Sequence, residues 1–205
     1  AYGVYYSHNA DGPRAAADQP GLVRQLKWAL TNGYVNSRYG TRRQPASVFG
    51  VWLAKLLPQR RQKRDAEFRY LPKPRPGQRL LDIGCGNGDF LVNARDAGWT
   101  VKALQRGLAS AHEVREGIHW LRGDALNGSD VDGAARGCSV IVHAVNPPGS
   151  RDWDRLVLPM LDNTIAAATA RPATLVLPGT VSNFGPETFP VLSEDSPQRP
   201  VTRTG

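Results

Sequence analysis

The sequence predicts an α/β protein, a parallel sheet covered by helices and preceded by a basic helical segment. Three observations carry this reading. After residue 78, short apolar runs alternate with helix-patterned stretches, the order that builds a parallel sheet with helices on its faces. The first of those runs ends in Gly84-Cys85-Gly86-Asn87-Gly88, and a helix pattern follows at once. Residues 71–77, LPKPRPG, form a proline-rich divide ahead of it.

Residues 1–20 are small, polar and punctuated by Pro and Gly, and read as a loose arm. Residues 21–32 place Leu22, Leu26, Ala29 and Leu30 at helical spacing, with Gly33 as the expected stop. Residues 47–57 give a second amphipathic helix, capped by Ser47 and ended near Pro58, which 59–69 extend as a basic helix. Beyond the divide, RLLDIG (79–84), WTVKAL (99–104), GIHWLRG (117–123), CSVIVHAV (138–145) and ATLVLPG (173–179) read as five strands, in the expected spatial order 3-2-1-4-5. GDFLVNARDAG (88–98) and residues 151–170 read as helices, the second despite Pro159 and with Asp152 and Asp154 compensating its start. Residues 180–205 are rich in Pro, Ser and Thr and show no element, so the fold is expected to continue beyond this chain. Two units are expected: a basic helical segment with its linker at 1–77, and a cofactor-binding sheet at 78–205.

The chain has 205 residues, 26 Lys plus Arg against 18 Asp plus Glu, and a net charge of +8. That length buries a core without disulfides or a structural metal. No apolar run approaches the roughly 18 residues of a membrane span, and the start lacks a secretion signal. A cytoplasmic location and no membrane partner are therefore expected. The two cysteines, Cys85 and Cys138, give neither a disulfide framework nor the spacing of a zinc site, and no metal is expected. The charge is lopsided: residues 1–77 carry a net +10 and the remainder −2. Its densest run, Arg60, Arg61, Lys63 and Arg64, is either a solvated helix face or the contact for an anionic partner, whether nucleic acid, a nucleotide-linked sugar or a membrane surface.

A strand, a tight glycine turn and a helix form the local context of a nucleotide cofactor. Glycines at Gly84, Gly86 and Gly88 allow positive φ and bring backbone N–H groups close to a ligand. Asp82 stands at the mouth of the strand and Cys85 inside the turn. The spacing is G-x-G-x-G rather than the G-x-G-x-x-G of dinucleotide binders, and Asp89 follows it. A carboxylate there caps the helix but repels a pyrophosphate. On charge, the loop suits S-adenosylmethionine, which carries an ammonium and no phosphate.

LLDIGCGNGDFL resembles the first motif of class I S-adenosylmethionine-dependent methyltransferases, and the resemblance extends over residues 5–100, including YYSH and the lead-in FRYLPKPRPGQRLLD. It implies a Rossmann-like fold, a methyl transfer to a small-molecule substrate, and cofactor contacts from Asp82, Gly84, Gly86 and Gly88. It also implies a lid from the segment holding Tyr5, Tyr6 and His8.

Strand two ends Leu104-Gln105-Arg106-Gly107, without the usual ribose-binding carboxylate. An arginine there suits a 2′-phosphate, and so NADP. From residue 101 on, VKALQRG, GIHWLRGDALN, CSVIVHAVNPP and TLVLPGTVSNFGP resemble an extended short-chain dehydrogenase/reductase of the NAD-dependent epimerase/dehydratase type. That resemblance implies adenine contacts from Asp124 and its neighbour Ala125, a cofactor wall from His143, Ala144 and Val145, and a catalytic helper at Thr180 or Ser182. The family's Tyr-x-x-x-Lys pair is missing: all six tyrosines lie at or before Tyr70, and no lysine follows Lys102. The chain thus reads as a hybrid joined near residues 100–102. Three functions stay open on this reading: a methyltransferase-like protein, an NADP-binding reductase or epimerase-like protein, and a catalytically silent chimeric sheet. His143 is a weak acid–base candidate, and the loop at 146–149 a substrate-side one.

Overall fold

The computed structural model describes residues 21–145, 152–179, 183–188, 192–193 and 195–201. Three helices come first: α1 (Leu22–Tyr39), α2 (Phe49–Leu56) and α3 (Pro58–Glu67). There follow β1 (Arg79–Ile83), α4 (Asp89–Asp96), β2 (Thr100–Gln105), β3 (His112–Arg115), β4 (Ile118–Arg122), α5 (Gly128–Ala135), β5 (Val140–His143), α6 (Trp153–Thr169) and β6 (Thr174–Val176).

The strands hydrogen-bond in the order β3-β4-β2-β1-β5-β6. All neighbours run parallel except β3 and β4. The five expected strands are present in their expected order, but the sheet has six. The extra strand, β3, stands between β2 and β4 in the chain, where no element was expected. Its HEVR sequence is short and polar, so apolar patterning does not announce it. The turn into β4 does carry a signal: Glu116 and Gly117 both have positive φ, as a two-residue hairpin requires.

Alternation along the strands divides the core in two. Leu80, Val101, Ala103, Val140 and Val142 face one side, where they meet Phe90, Leu91 and Ala94 of α4 and Val35 and Tyr39 of α1. Leu81, Ile83, Leu104 and Ile141 face the other, against α5 and α6. The segment ahead of the proline stretch therefore packs onto the sheet: Phe68 and Leu71 belong to the same core as Leu80, and Tyr39 stacks on Phe68 with centroids 4.1 Å apart. Helix α5 was not legible, since GSDVDGAA is poor in apolar residues. Asn127 starts it by accepting a hydrogen bond from the Ser129 N–H. Pro159 is accommodated inside α6, whereas Asp152 stands at its N-cap without a side-chain cap bond.

Three sequence expectations fail in the helical segment. Ser47 caps nothing with its side chain; Val48 is the N-cap position of α2, and the Ser47 carbonyl accepts from the Gly50 N–H. Helix α2 ends at Leu56, just ahead of Pro58 as expected, but the basic stretch does not extend it: Pro58 opens α3 as a separate helix. Gly33 does not stop α1, which runs on to a left-handed cap at Gly40. Gly33 is instead buried where α2 crosses: a Cβ there would overlap the Ser47 carbonyl, and one on Gly50 would overlap the Leu30 carbonyl. Missing side chains let the two backbones meet. In an exposed helix Gly→Ala adds about 1 kcal/mol of stability. Here Gly33→Ala is expected to lower stability by about 1–3 kcal/mol, read from the urea midpoint at unchanged slope. A gain in stability would mean that the crossing is not closely packed.

Candidate functional site

The carboxyl ends of β1, β2 and β4 converge on one cleft of about 480 Å³, lined by Gly84, Gly86, Gln105, Arg106, Asp124 and Ala125 among others. Its position is the one open α/β sheets use for ligands. Its size suits a small molecule or half of a dinucleotide.

The glycine turn forms its floor. Gly84 (φ 90°), Gly86 (φ 53°) and Gly88 (φ 86°) all lie in the left-handed region, so each glycine is required by the backbone. Gly84 is pressed against the exit of β5: a Cβ there would stand 2.7 Å from Ala144 C and Val145 N, and the Ala144 N–H donates to the Ile83 carbonyl at 2.8 Å. Gly86 faces open space. Gly88 is the N-cap residue of α4. Cys85 lines the cleft but is buried; burial, and then the Asp82 charge, push its thiol up to about 11, so it is a packing group and not a thiolate. Asp89 and Asn87 bond each other at the helix start, with the Asn87 amide donating to Asp89 Oδ2 at 2.8 Å and the Asp89 N–H donating to Asn87 Oδ1 at 3.2 Å.

The other wall comes from the ends of β2 and β4. Arg106 Nη1 lies 3.8 Å from Asp124 Oδ2, with both side chains about two-fifths exposed. Asp124 is held by its turn: its Oδ1 accepts from the Leu126 N–H, and its own N–H donates to Asp130 Oδ2, each at 2.9 Å. Oδ2 is left facing Arg106. Gln105 lines the cleft, and its Oε1, which reaches no solvent, has no partner among the described residues. Val145 and Met160 close the apolar side. Gln105 and Met160 carried no signal in the sequence, because nothing local marks which residue at the end of β2 or within α6 borders the cleft.

Asp82 is placed elsewhere. It projects from the same face as Leu80, is fully buried, and does not line the cleft. Its Oδ1 accepts from Arg69 Nη1 at 3.1 Å, and the Arg69 guanidinium lies 4.0 Å over the Phe90 ring. Burial raises the Asp82 carboxyl to about 6 despite the opposing Arg69 charge. Arg69 was invisible as a site residue: it lies 13 positions away, in a basic run, with φ 50°.

His143 is buried, with Nδ1 2.8 Å from Thr164 Oγ1. That hydroxyl donates to the Met160 carbonyl, so it accepts from Nδ1–H and leaves Nε2 as an acceptor with no partner among the described residues. Burial lowers the His143 pKa, which keeps the ring neutral. Ala144 contributes backbone against Gly84. Tyr34 and Tyr39 both donate to Asp65 Oδ1, and Tyr70 donates to the Gln62 carbonyl. Lys102 Nζ donates to the Ala134 and Arg136 carbonyls. None of these tyrosines reaches the cleft. Thr180, Ser182, the 146–149 loop and the segment with Tyr5, Tyr6 and His8 lie outside the described residues.

No family profile matches the chain, and no curated protein does. Solved structures are similar to part of the chain at low identity. A variant of uronate dehydrogenase from Agrobacterium tumefaciens complexed with NAD is 20% identical, over 60% of this chain and 49% of that one, with a TM-score of 0.47. Glucuronic acid dehydrogenase from Chromohalobacter salexigens is 18% identical over 60% and 48%, at 0.48. UDP-N-acetylglucosamine 4-epimerase from Bacillus cereus is 17% identical over 60% and 43%, at 0.47. The chain spans about half the length of these proteins or less. At these values the likeness carries none of their chemistry to this chain. None of the three is a methyltransferase, and the resemblance of residues 5–100 gains no support from them.

Proposed function

We propose that the cleft binds an adenine cofactor of the NADP class, chiefly through its adenosine 2′-phosphate half. The observation that supports this is Arg106 at the mouth of β2, half exposed and facing Asp124 Oδ2 at 3.8 Å. At that length and exposure the pair is loosely held, and the guanidinium is free to take a phosphate in a bidentate fashion. Asp124 Oδ2 would accept from the adenine amino group, and Gln105 Oε1 from a ribose hydroxyl. When bound, such a cofactor supplies hydride transfer. This chain's own residues bind and orient the adenosine half.

The fit is poorer at the other end. The Asp89 carboxylate sits at the first turn of α4, where a pyrophosphate would lie, and repels it. The glycine turn therefore contributes shape more than charge, and affinity is expected to reside in the 2′-phosphate. That same carboxylate favours a second reading, S-adenosylmethionine, whose ammonium tolerates it.

Calorimetric titration separates the two. NADP⁺ and adenosine 2′,5′-bisphosphate are expected to bind with similar affinity and more tightly than NAD⁺. Arg106→Ala is expected to weaken NADP⁺ by about tenfold to 100-fold and to leave NAD⁺ unchanged, the size of one or two charged hydrogen bonds. Binding of S-adenosylhomocysteine with no heat from NADP⁺ would replace this reading by the second.

A further inference from the structure

The stripe that makes α1 a helix in the sequence does not enter the core. Leu22 and Leu26 are 84% and 60% exposed. On α2, Phe49, Trp52 and Leu56 fall at i, i+3 and i+7, one stripe, and are each more than 70% exposed. The two helices are locked together by the Gly33 and Gly50 crossing, so these side chains belong to one rigid pair. An apolar surface of this extent is uncommon on a soluble protein and marks a contact.

Its chemistry is specific. Residues 21–64 hold ten Lys and Arg and no Asp or Glu. Arg24 lies 5.1 Å over Trp28, and Lys55 lies 5.5 Å over Trp52, so the cations stand beside the exposed rings. Arg60, Arg61 and Lys63 follow on α3, exposed. The first acid reached, Asp65, is buried under the Tyr34 and Tyr39 hydroxyls and does not offset the surface field.

We propose that the α1–α2 pair, flanked by the cations of α3, seats this protein on an anionic phospholipid surface. Aliphatic and Trp side chains enter the acyl boundary, while Lys and Arg reach the headgroups. A second copy of the chain fits poorly, because the face would meet its own unbalanced positive charge. Nucleic acid fits less well: Phe49 and Trp52 offer rings for stacking, but the exposed Leu22, Val23, Leu26 and Leu56 around them offer neither stacking nor hydrogen bonds to bases. No described helix is long and apolar enough to cross a bilayer, so the seat is peripheral.

The test is co-sedimentation of the full chain with vesicles of phosphatidylcholine alone and with 30% phosphatidylglycerol (about one anionic lipid in three, enough to engage polybasic segments). Binding to the anionic vesicles only, with a blue shift of tryptophan emission, is expected. Trp52→Ser with Leu56→Ser should abolish the shift, and Arg60→Ser with Arg61→Ser and Lys63→Ser should lower affinity roughly 100-fold. All five positions are exposed, and an unchanged thermal midpoint checks that the variants fold. Equal binding to both vesicles, no binding to either, a dimer dissolved by the Trp52/Leu56 pair, or retention on duplex DNA in place of vesicles would each overturn the proposal.

Discussion

Gly84→Ala is expected to lower the stability of this protein by about 3 kcal/mol or more, and to distort the cleft above the glycine turn in whatever remains folded. Two penalties add at this position. The backbone stands at φ 90°, outside the region an L-residue adopts without strain, which costs of order 1–3 kcal/mol. The added methyl also meets backbone, not a yielding side chain: Ala144 C and O and Val145 N all lie within 2.8 Å. Relief requires β1 and β5 to move apart at their carboxyl ends, against the Ala144 N–H bond to Ile83. Overpacking of this kind adds a further 1–3 kcal/mol. Gly86→Ala is the internal control. It has a positive φ as well, but open space around it, so only the conformational cost of about 1 kcal/mol applies. Urea unfolding of both variants distinguishes the two costs; equal losses would show that the β1–β5 exit is not closely packed.

The parts of the fold that the sequence disclosed are those with a local cause. Buried strands such as LLDI and VIVH are continuous apolar runs because both of their faces are covered. The glycine turn is legible because positive φ demands glycine at three fixed places. What stayed hidden depends on partners distant in the chain. Gly33 looks like a stop until α2 is seen lying across it. Strand β3 is held by β4 alone at the sheet edge, so it needs no apolar pattern. Asp82 reads as a cofactor ligand from its place before the glycines; alternation puts it instead on the face opposite Ile83, and Arg69 pairs with it there. In the cleft, Arg106 and Asp124 were readable from their positions at strand ends. Their facing each other was not, since it depends on β2 and β4 being neighbours in register, with Gln105 opposite Arg122.

The Arg69–Asp82 pair gives the second large effect, and its sign depends on pH. Asp82 is fully buried, its Oδ2 has no partner among the described residues, and its carboxyl is raised from 3.8 to about 6. A group whose folded pKa lies above its unfolded one stabilises the native state fully below the unfolded value. That stability is lost as pH rises through the folded value. Between about pH 4 and pH 6 the unfolded chain gives up its proton first, and this group alone removes about 3 kcal/mol from native stability across the window. Asp82→Asn, which cannot ionise, is expected to flatten that slope relative to the parent protein. Arg69→Ala acts oppositely. It strips the buried carboxylate of the one counter-charge it has among the described residues, and the protein is expected to lose about 3 kcal/mol or more at pH 8. Near pH 4.5, where Asp82 carries its proton, the loss should shrink to that of the Phe90 contact, about 1 kcal/mol. Urea titrations of the two variants at both pH values check this. A loss from Arg69→Ala that is the same at both would mean that Arg69 acts by packing alone. The reason to expect otherwise is geometric: Arg69 reaches from the basic segment, through consecutive positive-φ residues at Arg69 and Tyr70, to a carboxylate beneath the glycine turn. The same contact ties the basic segment to the strand that carries the cleft, so at pH 8 Arg69→Ala should also weaken binding of the proposed NADP-class cofactor without touching the cleft itself.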